Sequence, residues 1–202
     1  VFHSFHRDPI TVEELQLKKT TGTHQRVIDM VAHELITRER IEEWKELPGM
    51  APGVDISRDI VKLAAIERHK NTGHVGLGFL GKYGLKRGAV ATSIGHDSHN
   101  LVIAGVTDED MVLAGNRVIE NGGGLAIALA GKVLADLPLP IGGLMADEPV
   151  EVVDEKLEHM KKISTELGIS KDIDAFMTLA FISLPVIPKL RLNTYGIVDV
   201  EK

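Results

Sequence analysis

The most legible stretch of the chain runs apolar, polar, apolar: GAVATSIG, then HDSHN, then LVIAGV, over residues 88–106. Short runs rich in Val and Ile on either side of a glycine-preceded polar cluster predict two strands joined by a turn. Thr107 followed by Asp108, Glu109 and Asp110 supplies an N-cap and an acidic first turn, so DEDMVLAGNRVIENGG reads as a helix that ends at the glycines 122–124. GLAIALAGKVLADLPLP, with Gly131-Lys132 between two apolar runs, predicts a hairpin closed by prolines. Further on, Val152, Val153, Leu157, Met160, Ile163 and Leu167 share one helical face, which predicts an amphipathic surface helix ending at Gly168.

Other segments are less decided. RVIDMVAHELI, from Arg26, favours a strand and the charged TRERIEEWKEL follows it, up to the turn residues 48–53. Residues 59–69, DIVKLAAIERH, fit a buried strand or a short helix, and the strand is preferred. The next eighteen residues, NTGHVGLGFLGKYGLKRG, contain six glycines, a density that predicts turns, close backbone approaches or a short helix between breaks. DIDAFMTLAFISLPVIPKL reads as a buried helix or strand broken at its prolines, and TYGIVDV as a closing strand. Residues 1–25 show little periodicity and read as a linker or approach segment, leaving 26–202 as one domain. The fold class is therefore α+β: a mixed, largely antiparallel sheet with packed helices.

Composition narrows the chemistry. With 23 Lys and Arg against 29 Asp and Glu the formal charge is -6, and no basic stripe is visible, so a nucleic-acid surface is not expected. Cysteine is absent, which excludes disulfides, thiolate metal ligands and thiol catalysis. Charges and prolines interrupt the most apolar stretch, 122–145, so no membrane span is expected. The N-terminal region has His3, His6, Arg7 and Asp8 where a leader would need apolar residues, and the chain does not start with Met. A cytoplasmic protein, cut from something larger, is the expectation.

The candidate chemistry sits in HDSHN. His96, Asp97 and His99 offer imidazole and carboxylate ligands for Zn, Mn or Fe, with Glu67, His69 or His74 as further donors. On a straight strand His96 and His99 would face opposite ways, so convergence needs the backbone to turn between them. Asp, Ser and Asn also favour turns through bonds to local backbone. A structural turn, an active-site contact and a metal site stay open. Gly76-x-Gly78-x-x-Gly81 matches part of a dinucleotide fingerprint, with Asp97 near the distance of a ribose-binding acid, but no clear βαβ unit surrounds it. No G-x-S-x-G occurs, and Ser98 precedes a strand, so a serine hydrolase is not expected. Glu67 and Arg68 read most simply as a surface ion pair, and Met111, Met145, Met160 and Met177 as core or interface filler.

The order of RH-x-x-TG (68–73), GLKRGA (84–89), HDSHN (96–100) and LPLPIGGLM (137–145) closely resembles the C-terminal domain of adenine deaminases of the amidohydrolase superfamily, from about Arg26 onward. The resemblance implies hydrolytic deamination of adenine to hypoxanthine and ammonia, a step of purine salvage, in the complete enzyme. It implies a Mn or Fe centre carried by a preceding TIM-like barrel, through His and Asp motifs that this chain lacks, and no metal is assigned to these residues. The barrel, in cis or in trans, is the implied partner, adenine the implied substrate, and the chain could form a homo-oligomer. This chain would be part of a hydrolase rather than a catalyst alone. His96, Asp97, His99 and Asn100 become candidate active-site contacts, with Arg68 and His69 candidate substrate-binding neighbours. Two other readings are a structural or oligomerisation domain with no catalytic contact, and a stand-alone metal-binding enzyme.

Overall fold

The computed structural model describes residue 2, residues 4–17 and residues 22–202. Strands β1 (His24–Met30) and β2 (Thr37–Glu43) form an antiparallel hairpin in which Val27 faces Arg40. The charged half of this region is therefore strand as well; its polar residues are tolerated because β2 is an edge of the sheet. The IVKLAAI run is β3 (Ile60–Ile66), buried along its whole length. The glycine-rich stretch is neither turns nor a short helix at its centre but β4 (Val75–Gly81), paired with β3 on one side and with β1 on the other.

The physical reason is packing. A Cβ at Gly76 would overlap the carbonyl oxygen of Asn193, and one at Gly78 would lie 3.2 Å from Leu192 Cδ1. These glycines let a later hairpin press on the sheet. That use replaces the dinucleotide reading: the next described element after Gly81 is a strand rather than a helix, and the fingerprint's turn is a strand interior.

The apolar runs around HDSHN are β5 (Ala89–Thr92) and β6 (Leu101–Gly105), and α1 (Asp108–Glu120) follows, capped by Thr107 Oγ1 accepting from the Asp110 amide. β7 (Gly124–Leu129) and β8 (Lys132–Pro138) make the second hairpin. α2 (Val150–Glu166) and α3 (Ala175–Ile182) precede β9 (Leu190–Asn193) and β10 (Gly196–Asp199), which form a separate two-stranded hairpin. The eight-stranded sheet has the order β2-β1-β4-β3-β6-β5-β7-β8, antiparallel throughout except for β1 beside β4. The fold is α+β, as the sequence predicts.

Alternation along the strands gives the sheet two buried faces. Ala64, Ile66, Ala91 and Ile103 pack against Met111, Ala114 and Val118 of α1. Leu63, Ala65, Val90 and Val102 pack toward Leu179 and Ile182 of α3 and Leu190 and Leu192 of β9. Of the methionines, Met111 and Met160 are core, whereas Met145 and Met177 are exposed. Within the approach segment, residues 1, 3 and 18–21 lie outside the described residues, while Ile10 and Leu15 are buried against the α1 face. Asn116 holds Ile10 by both its amide and its carbonyl.

Candidate functional site

The strand registers decide where the motifs meet. Ile66 pairs with Leu101 and with Val75, Thr92 pairs with Val102 and with Leu125, and Gly124 pairs with Pro138. The connections 67–74, 93–100 and 139–144 therefore emerge at one end of the sheet, and the Gly76 contact brings the β9–β10 turn to the same end. RH-x-x-TG, HDSHN and LPLPIGGLM, far apart in sequence, are neighbours there.

Arg68 joins them. Its guanidinium is buried, with the residue 2% exposed. Nε donates to His99 O at 2.5 Å, Nη2 to Gly142 O at 2.9 Å and Nη1 to Ser4 O at 3.4 Å, while the Phe5 ring lies 4.7 Å from its central carbon. Burial pulls the Arg68 pKa below the ordinary arginine value, with Glu67 acting the other way. The expected Glu67–Arg68 ion pair does not form. The Glu67 carboxylate instead accepts from the amides of His69, Lys70 and Thr72 and from Thr72 Oγ1, which holds its pKa down at about 2 against the cost of burial.

Around the turn itself, His69 Nε2 lies 2.6 Å from Ser98 O; a carbonyl only accepts, so Nε2 carries the proton. The His96 amide donates to Ala180 O at 2.7 Å, and Ser183 Oγ donates to His96 O at 3.2 Å. His96 packs on Phe181 with ring centroids 4.6 Å apart. The backbone of the turn is thus held from α3 on one side and from Arg68 and His69 on the other. Its side chains are less constrained: Asp97 and Ser98 are exposed, and His96, His99 and Asn100 are half-buried. Burial, then the neighbouring His96 and Arg68, lowers the His99 pKa below the ordinary imidazole value, and Asp97 opposes this. Near neutral pH the His99 ring is a neutral imidazole, able to accept a proton.

Asp97, Ser98 and Asn100 line a cavity of about 380 Å³ whose other walls come from residues 183–186 and 193–195. The Oδ1 of Asn100 is buried and has no hydrogen-bond partner among the described residues. Residues that the sequence reading missed belong here: Ser183, Tyr195 and, beneath the turn, Ser93. Ser93 Oγ donates to Gly143 O at 2.5 Å and accepts from the Gly124 amide at 2.7 Å, fastening the end of β5 to the 139–144 loop. The hydroxyl at the end of the apolar ATSI run was the available signal.

The residues do not fit a metal centre. His96 and His99 ring centroids are 6.2 Å apart at 63°. Of the further donors, Glu67 is spent on its own loop, His69 Nε2 bonds Ser98 O, and the His74 ring lies tilted against Tyr195 at 4.7 Å. Among the described residues no three His, Asp or Glu side chains are grouped to hold an ion.

The same motifs lie within a span that matches a known family. The profile described as the adenine deaminase C-terminal domain matches residues 34–202. The chain belongs to this family. It is similar to adenine deaminase 2 of Carboxydothermus hydrogenoformans, 47% identical over 192 residues, covering 95% of this chain and 33% of the relative. Adenine deaminases of Kosmotoga olearia (47% identical, 94% of this chain, 33% of the relative) and Bacillus licheniformis (39% identical, 100% and 35%) are similar over corresponding spans. The chain thus spans about a third of the length of the curated relatives it matches.

Proposed function

We propose that this chain serves as the C-terminal domain of an enzyme that hydrolyses adenine to hypoxanthine and ammonia, and that HDSHN faces the active site carried by the preceding barrel. The relatives' names support the activity. The observation that carries the role of the turn is its construction: the backbone is held by Arg68, His69, Ala180 and Ser183, while Asp97 and Ser98 are exposed at a cavity. Fixing the backbone sets where the side chains of the turn start from, and leaving them open lets them reach a group presented from outside the domain.

In the net reaction water's oxygen is added at C6, the amino group leaves as ammonia, and protons must be moved from the water to the leaving nitrogen. His99, neutral near pH 7, would accept and return such a proton; Asp97 would hold the charge that develops on the imidazole. Asn100 and His96 would orient purine or water at the closed site. Arg68 and His69 act in this reading on the turn, through its carbonyls, rather than on the substrate. The Mn or Fe of the complete enzyme belongs to the barrel, and no step assigned to these residues runs through it. A cytoplasmic setting fits a chain without cysteine in which no described helix is long and apolar enough to cross a membrane.

The test is steady-state kinetics of the intact enzyme carrying His99→Ala. Turnover should fall by about 10²-fold or more, in the range of general acid–base contributions. Unchanged turnover would remove the active-site reading and leave a structural turn.

A further inference from the structure

The end of the sheet that carries HDSHN is also where the chain enters the domain. Ser4 O accepts from Arg68 Nη1, the His6 amide donates 2.8 Å to Arg68 O, and Phe5 covers the guanidinium whose Nε holds His99 O. Asp8 and Asn71 bond each other through Asn71 Nδ2 at 2.8 Å, tying the entering segment to the 67–74 loop as well. One side chain, Arg68, therefore separates the incoming polypeptide from the turn. The family matched is a C-terminal domain, and the matched span is about a third of the relatives' length.

The surface beside the turn is unlike an ordinary solvated loop. Val186 is 70% exposed and Tyr195 81% exposed, and both border the 380 Å³ cavity together with Leu184 and Pro185. Large apolar side chains left exposed together beside a concavity mark an interaction site. The floor includes Asn100, whose buried Oδ1 lacks a donor among the described residues.

We propose that the rim formed by residues 184–186 and Tyr195, with HDSHN at its floor, is the seat of the preceding portion of the same polypeptide. The entering segment delivers that portion to this end of the sheet, its length is about twice that of this domain, and the exposed apolar rim suits a partner surface carrying an apolar segment. The proposal rests on the reading of this chain as the C-terminal domain of a longer enzyme, and it names the docking residues that the reading leaves open.

The experiment uses the full-length protein. This chain has no cysteine, so Val186→Cys and Tyr195→Cys introduce unique thiols here, and Val150→Cys, at a 73%-exposed position on α2, is the reference. Maleimide labelling rates are read by mass spectrometry of the peptides, each divided by its own rate in urea. Positions 186 and 195 should label at least about tenfold more slowly than position 150. Equal rates at the three positions overturn the proposal, as does protection that disappears on dilution together with a halving of the hydrodynamic mass, which would make a second copy the occupant. Protection with full turnover in His99→Ala supports the docking and removes only the active-site role of the turn; free labelling with an inactive His99→Ala removes only the docking.

Discussion

The Nε of Arg68 donates to the carbonyl oxygen of His99 at 2.5 Å, across thirty-one residues of sequence. A buried guanidinium bonded to carbonyls rather than to a carboxylate keeps its full charge, and the carbonyls it meets are left without a donor if it is removed. Arg68→Met, which keeps the stem and deletes the donors, should destabilise this chain by about 3 kcal/mol, while Arg68→Lys should recover part of the loss. Urea unfolding followed by Trp44 fluorescence measures both; an Arg68→Met midpoint equal to the wild type would show that the bonds contribute nothing.

His99 reports on the same junction. Its depressed pKa comes from burial, then His96 and Arg68, with Asp97 acting upward. An NMR titration should therefore find Asp97→Asn lowering the His99 pKa further and His96→Gln raising it. Because the folded value lies below the unfolded one, the unfolded chain takes up this proton first, and stability should decline as pH falls from about 6.5 toward the folded pKa. Shifts in the opposite directions would mean that His96 and Asp97 do not lie near the His99 ring.

Glu67 gives a separate acid window. Its pKa is held at about 2 by amides of its own loop, so the native carboxylate stays charged while the unfolded chain protonates near 4.5. Stability contributed by Glu67 is present above that value and is lost as pH falls toward about 2. Urea midpoints at pH 7, 4 and 3 should fall less steeply in Glu67→Gln than in the wild type; parallel slopes would contradict the assignment.

Lys62 and Asp108 form an ion pair at 2.6 Å with the lysine 0% exposed, between β3 and the first residue of α1. Asp108→Ala would strand an ammonium in the core and should cost about 3–5 kcal/mol, whereas Lys62→Met with Asp108→Leu should cost far less. A double-mutant cycle by chemical denaturation distinguishes a coupled pair from two independent residues.

The glycines of β4 separate packing from ligand binding. Gly76→Ala must displace the backbone at Asn193 and should destabilise by about 3 kcal/mol, while Gly78→Ala meets only flexible side-chain atoms at 3.2 Å or more and should be milder. Thermal melts of the two variants decide it: equal effects would mean that the β9–β10 hairpin does not press on Gly76.

Much of this protein follows from local pattern. Thr107 with three acids after it makes a helix start wherever it is placed, and the apolar runs flanking HDSHN are strands because their residues suit a doubly buried sheet. The LRLN strand was not legible, and in VGLGFLG the alternation of Val75, Leu77 and Phe79 was masked by glycines, which by themselves favour turns and are tolerated here because a hairpin lies against them.

For the site, residue types were readable and partners were not. The sequence alone placed two imidazoles, a carboxylate and an amide in one turn and marked the family through the order of its motifs. Only the tertiary structure decided that Arg68 turns inward to carbonyls, that Glu67 closes its own loop, and that three distant motifs share one end of the sheet. Strand pairing sets those neighbours, and pairing depends on the packing of both sheet faces together, which no local stretch of sequence contains.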